Sequence, residues 1–221
     1  MRHRARGLFV TGTDTGVGKT MVACAIAAWC RDHGIDAGVM KPVATGGRAM
    51  RVGRSKRWVS DDARRLARCA RAADPWPLIN PVCFAEPIAP WTAARRAGTT
   101  IRLAQVLEAF RVLQARHQVV IVEGIGGLLV PLTARATVAD LARCLRLPLL
   151  LVARAGLGTL NHTLLSLACA RDHRLTVKGV VLNHAAGPPR GPAARVSAQT
   201  NVQVLRQLAQ APILGPLPFR S

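Results

Sequence analysis

Glycine, lysine and threonine are spaced for phosphate chemistry in the run Gly12-Thr13-Asp14-Thr15-Gly16-Val17-Gly18-Lys19-Thr20. Glycines 16 and 18 let backbone N–H groups turn inward on phosphate oxygens, Lys19 can reach the β- and γ-phosphates, and the Thr20 hydroxyl can ligate Mg²⁺. The strict pattern G-x-x-x-x-G-K-[ST] is missed at one place, because Thr13 holds its first position and the glycine lies one residue earlier. A strand-like run before the loop and a helical run after it supply the context that a chance glycine-rich turn would lack. Lys41 closes a second apolar run and opens Lys41-Pro42-Val43-Ala44-Thr45-Gly46. Alone, an exposed lysine at a strand end explains that position equally well. Acidic residues are few, so their placement carries information. Asp61-Asp62 opens a helical stretch, and helix capping accounts for one of the two. Glu123 ends the most strand-like run and precedes Gly124-Ile125-Gly126-Gly127; a carboxylate there suits a second Mg²⁺ ligand facing the loop.

Positioning these groups requires strands that end beside one another. Apolar runs at residues 8–11, 37–40, 119–122, 149–152, 177–182 and 212–217 read as strands. Helical periodicity covers residues 20–31, 101–117 and 159–171, and a helix is expected from Asp61 to about residue 73. Residues 48–60 show no hydrophobic period and read as a mobile basic loop, and residues 75–90, rich in proline, as a long ordered loop. Strands alternating with helices predict an α/β fold: one doubly wound, mainly parallel sheet flanked by helices, a single domain over residues 1–221, with ligands at the carboxyl ends of the strands.

Composition agrees. The chain has 221 residues, 50% hydrophobic and 19% charged, which suits one folded core. No apolar run approaches the roughly 18 residues of a membrane span. The basic start, Arg2 to Arg6, is followed only by Gly7-Leu8-Phe9-Val10 before polar Thr11, so no signal h-region is read and the cytoplasm is the expected location. Six cysteines show no C-x-x-C and read as small apolar residues. The net charge of +20 invites a polyanion partner. However, the arginines are scattered and not interleaved with aromatics, so no specific nucleic acid and no membrane partner is expected.

In combination the motifs resemble the dethiobiotin synthetase family, ATP-dependent carboxylases that close the ureido ring in biotin synthesis. The matching segments are residues 11–20, Lys41 to Gly46, Asp61-Asp62-Ala63, Glu86-Pro87-Ile88-Ala89-Pro90, Val122 to Gly127, Gly158-Thr159-Leu160-Asn161-His162 and Asn183, in the family's order over nearly the whole chain. The resemblance implies that Lys19 and Lys41 are catalytic, with Lys41 beside the reacting carbamate. It implies ATP contacts from Thr15, Gly16, Val17, Gly18, Lys19, Thr20 and Met21, from Asp62, Glu123, Gly124, Ile125 and Gly126, and around the base from Asn183, His184, Leu217, Pro218 and Phe219. Thr20, Asp62 and Glu123 would hold Mg²⁺. Thr45, Pro87, Gly156, Leu157, Gly158 and Asn161 would contact substrate, the 156–161 stretch across a homodimer interface. The implied reaction joins 7,8-diaminononanoate and CO₂ to dethiobiotin through a phosphorylated carbamate, with ATP giving ADP and phosphate.

Four departures stand out: Gly16 in place of a larger residue, Trp91 where the family commonly has histidine, the basic 48–57 stretch, and few residues after the last strand. Two other readings share the loop. Cobyrinate-type synthetases would carry a glutaminase domain with a cysteine nucleophile. Partition-type ATPases, switches on DNA or membrane, carry a second lysine early in the loop, where this chain has Asp14, and lack the Lys41-Pro42 strand end.

Overall fold

A computed structural model of the chain describes residues 6–52, 55–185, 187 and 191–219. It runs from β1 (Gly7–Gly12) into α1 (Lys19–Asp32), then β2 (Ala37–Met40), the short β3 (Val43–Ala44) and a hairpin of β4 (Arg48–Val52) and β5 (Ser55–Val59). There follow α2 (Asp61–Ala70), α3 (Trp76–Ile79), β6 (Val82–Cys83), α4 (Pro90–Arg96) and α5 (Leu103–Arg116). The second half holds β7 (Val119–Glu123), β8 (Pro131–Thr133), β9 (Ala136–Thr137), α6 (Val138–Leu145), β10 (Leu149–Arg154), α7 (Thr159–Asp172), β11 (Val177–Asn183), α8 (Pro192–Leu208) and β12 (Ile213–Leu217).

Six strands form one sheet in the order β12-β11-β10-β1-β7-β2, every neighbouring pair parallel. Alternate residues feed opposite faces. Phe9, Met40, Val120, Val122 and Leu149 pack with residues of α5 and α6, whereas Val10, Val39, Ile121, Leu150 and Val152 pack with α1 and α2. Towards the β12 edge, Leu151, Val180 and Leu182 pack with Val202 and Leu205 of α8 and with Leu164 and Leu167 of α7. β1 thus sits where the winding reverses, and its carboxyl end, which leads into the glycine loop, is where such a sheet takes its ligand. No helix among the described residues is long and apolar enough to cross a membrane.

Three local expectations are corrected. Residues 48–52 and 55–59 pair as antiparallel strands rather than forming a mobile basic loop; residues 53 and 54 lie outside the described part. The anchor of this pair is Val59, wholly buried, together with Arg57, whose Nη2 donates to the carbonyls of Asn80 and Pro81 at 3.2 and 3.1 Å. Second, the cap of α2 is Ser60 rather than an aspartate: its hydroxyl accepts from the Ala63 N–H at 3.1 Å, which frees both acids for ion pairs. The same helix stops at Ala70 because Arg71 turns left-handed, with φ 52°. Third, the 75–90 stretch is ordered but contains α3 and β6. The helices α4, α6 and α8 were not anticipated. For α6 the signal was present, since Thr137 and Asp140 form a reciprocal capping box.

Candidate active site

The carboxyl ends of β1, β2 and β7 bring Lys19, Lys41 and Glu123 into one cluster with Thr20 and Asp62. Glu123 is wholly buried, and its Oε1 accepts from the Thr20 hydroxyl at 2.8 Å and from Lys41 Nζ at 2.6 Å. Lys41, 2% exposed, also donates to the Gly124 carbonyl at 3.0 Å and pairs with Asp62 Oδ2 at 2.9 Å. Burial works against the Lys41 charge, but Glu123 and Asp62 outweigh it and hold the ammonium above the ordinary lysine range. Asp62 experiences the mirror image. Burial would raise its pKa, yet the Lys41 charge and hydrogen bonds from Lys41 and Thr20 hold it below the usual value. Lys41 is therefore no exposed strand-end lysine.

Lys19 begins α1 and donates to the Asp14 carbonyl at 2.7 Å. Burial, reinforced by the Lys41 charge, lowers its pKa to about 8. Asp14 shapes the loop by accepting from the Thr15 N–H at 2.6 Å, a local turn in place of a second lysine. Gly18 has φ 99°, and a side chain there would collide with the Asn183 amide, which donates to the Val17 carbonyl at 2.9 Å. Asn183 at the end of β11 therefore braces the loop from behind. Gly16 also has a positive φ, 73°, but its surroundings are open.

Glu123 Oε2 is buried with no hydrogen-bond partner among the described residues. A buried carboxylate oxygen left unpaired is costly, and a cation would satisfy it. Thr20, Asp62 and Glu123 together present the hard oxygen donors that Mg²⁺ selects, so the residues fit that ion.

A cleft of about 770 Å³ opens over this cluster. Its walls include Thr15, Gly16 and Gly18 from the loop, Lys19, Thr20 and Met21 from the start of α1, and Lys41, Thr45, Asp62 and Pro87. Glu123, Ile125 and Gly126 follow β7, and Asn183, His184, Pro218 and Phe219 close the far end.

The descriptions of similar proteins match this chemistry. Residues 6–221 match the family described as an AAA domain, AAA_26. An ATP-dependent dethiobiotin synthetase BioD from Anaeromyxobacter dehalogenans (strain 2CP-C) is 51% identical over 214 residues, covering 97% of this chain and 90% of the relative. A BioD of Bacillus licheniformis is 37% identical over 217 residues, 96% and 86% of the two chains. The chain belongs to the dethiobiotin synthetase family. In fold alone it is also similar to the signal recognition particle receptor FtsY from Elizabethkingia anophelis, with a TM-score of 0.56 at 14% identity, covering 96% of this chain and 58% of that one.

Not every family position reaches the cleft within one copy. Val17 is buried in the core beneath the loop, and Leu217 packs against the same core while its carbonyl accepts from His184 N–H at 3.1 Å. Gly124 does not line the cleft and contributes its carbonyl to Lys41. Gly156, Leu157, Gly158 and Asn161 lie around the start of α7, outside the cleft, with Leu157 93% exposed. Trp91 stays on α4 under the Arg95 guanidinium, 5.8 Å from its ring centre, and does not line the cleft either. Arg65, by contrast, lines it and was not anticipated; its place three residues after Asp62, on the same face of α2, was the available signal.

Proposed function

We propose that this cleft carries the family's ATP-dependent ring closure, with 7,8-diaminononanoate and CO₂ as the other substrates. One amine adds to CO₂ and loses a proton, giving a carbamate. A carbamate oxygen attacks the γ-phosphorus of ATP and ADP leaves. The second amine then attacks the carbonyl carbon, the C–O bond to phosphate breaks, phosphate departs, and the nitrogen gives up its proton to leave the cyclic urea. No covalent bond to the protein forms; positioning and charge stabilisation carry the rate.

The observation that carries this reading is the buried Lys41 ammonium, held between Glu123 and Asp62 at the mouth of the loop that ends in Lys19. Lys41 faces the carbamate and its phosphorylated form, where negative charge grows. Lys19 and the loop amides hold the phosphates, and Thr45 and Pro87 flank the diamine. Thr20, Asp62 and Glu123 would hold Mg²⁺, which supplies charge neutralisation on the phosphate oxygens. Asn183, Pro218 and Phe219 border the base. A second copy of the chain completes the site with its 156–161 stretch, where the N–H groups at the start of α7 receive the substrate carboxylate. Exposed Leu129, Leu157 and Leu165 support such an apolar contact between copies.

Purified protein given diaminononanoate, bicarbonate, Mg²⁺ and ATP should release phosphate and form dethiobiotin, and ATP turnover indifferent to the diamine would sink the proposal. Lys41→Ala should lower kcat by at least ~100-fold with nucleotide binding retained. Its melting temperature should also fall, since Glu123 then stays buried without its cation.

A further inference from the structure

Asn80, in the turn between α3 and β6, is wholly buried beneath the cleft yet lies outside the set of lysines and carboxylates already described. Its Nδ2 donates to the main-chain oxygens of Lys41 at 2.8 Å and Val82 at 3.2 Å, and its Oδ1 accepts from the Ser60 N–H at 3.1 Å. These partners allow one orientation of the amide. Two are acceptors and the third is a donor, so a flipped group would set like against like. The preceding residue repeats the grip, because the Lys41 N–H donates to the Ile79 carbonyl at 2.7 Å.

The two ends of this bridge are the two sides of the charge cluster. Lys41 directly follows β2, and Ser60 caps the helix whose first turn carries Asp62. Between them the chain detours through β3 and the β4–β5 hairpin, so chain continuity alone does not set their separation. The Lys41 and Asp62 side chains nevertheless meet at 2.9 Å.

We infer that Asn80 is a positioning residue for the ring-closing reaction: its side-chain amide sets the Lys41 strand end against the Asp62 helix start without touching substrate. The inference rests on the reading of Lys41 as the group facing the carbamate. The phosphate loop is held separately, by β1 and by Asn183 on Val17, so removing Asn80 should disturb the chemistry and spare the nucleotide.

Two variants separate the cases. Asn80→Ala removes all three side-chain bonds. Asn80→Asp keeps the volume and the acceptor for Ser60 but turns an oxygen onto two carbonyls. The expected result for each is a kcat of diamine-dependent phosphate release lowered ~10–100-fold, with the Kd for ATP within about threefold of the unmodified chain. Either variant binding ATP normally with kcat within about twofold of the unmodified chain overturns the inference. Loss of ATP binding together with turnover in both variants also overturns it, because Asn80 would then be a general prop of the fold. An unmodified chain that forms no dethiobiotin refutes the proposed function and this inference with it, whereas active protein with unimpaired variants refutes this inference alone.

Discussion

Two lysines share the cleft and hold their protons differently because their neighbours differ. Lys41 sits between two carboxylates, whereas Lys19 is buried on the Asp14 carbonyl, and that burial, with Lys41 as the repelling charge nearby, works against its ammonium. Lys19 therefore titrates at about 8 in the folded chain, against 10.5 for an ordinary lysine. Between those values the unfolded chain binds the extra proton, so the Lys19 contribution makes stability rise with pH across that window. ATP phosphates reverse the local field and favour the ammonium. Binding ATP above pH 8 should accordingly take up as much as about one proton, and affinity should weaken as pH climbs from 8 to 9. Calorimetry in two buffers of different ionisation enthalpy measures that uptake, and a buffer-independent heat at pH 8.5 would contradict it.

At the scale of elements, the joints between segments hold more information than the segments themselves. His117, after α5, bonds Asp36 before β2 through Nδ1 and Asp74 before α3 through Nε2, each at 2.8 Å, while Arg116 reaches Asp74 at 3.2 Å. Burial disfavours the imidazolium, but the bonds to Asp36 and Asp74 outweigh it and raise the His117 pKa. A raised folded pKa means a contribution that is full below the unfolded value near 6.5 and lost as pH rises through the folded one. His117→Ala should therefore destabilise the chain more at pH 6 than at pH 9. Thermal melts of both proteins across that range provide the check; equal losses at the two ends would refute the charged clamp.

For the whole molecule, the open question is what covers its apolar surface. Leu129 and Leu165 are 63% and 60% exposed and border a shallow hollow with His162 beside Thr13 to Thr15. Leu157 stands 93% exposed just ahead of α7. If a second copy covers them, the chain runs as a dimer in light scattering coupled to size exclusion. Leu157→Asp combined with Leu165→Asp should then yield a monomer that binds ATP but loses ring closure by at least ~10-fold, since buried unpaired charges at the interface are costly. An unmodified chain that stays monomeric at micromolar concentration would remove the shared-site proposal. The net charge of +20 comes mostly from arginines, and among the described residues some of these are paired locally, as Arg48 and Arg64 are with Asp61.

What the amino-acid order determined by itself was local. Nine contiguous residues specify the phosphate loop because its function is a backbone conformation set by Gly16, Gly18 and their neighbours. Apolar periodicity placed all six strands of the main sheet to within a residue or two, because burial on both faces demands continuous apolar runs. Motif order was enough to place the chain in its family. The hairpin at 48–59 escaped that reading because its order comes from Val59 and from Arg57 on the carbonyls of Asn80 and Pro81, which periodicity cannot report. Only the tertiary structure decided that Lys41, Asp62 and Glu123 form one cluster and that Asn80 ties the two sides together. The physical reason is the same in each case. Element type follows from neighbours in sequence, whereas these contacts join residues as far apart as 82 positions, and the strand order that brings them together leaves no periodic trace in the sequence.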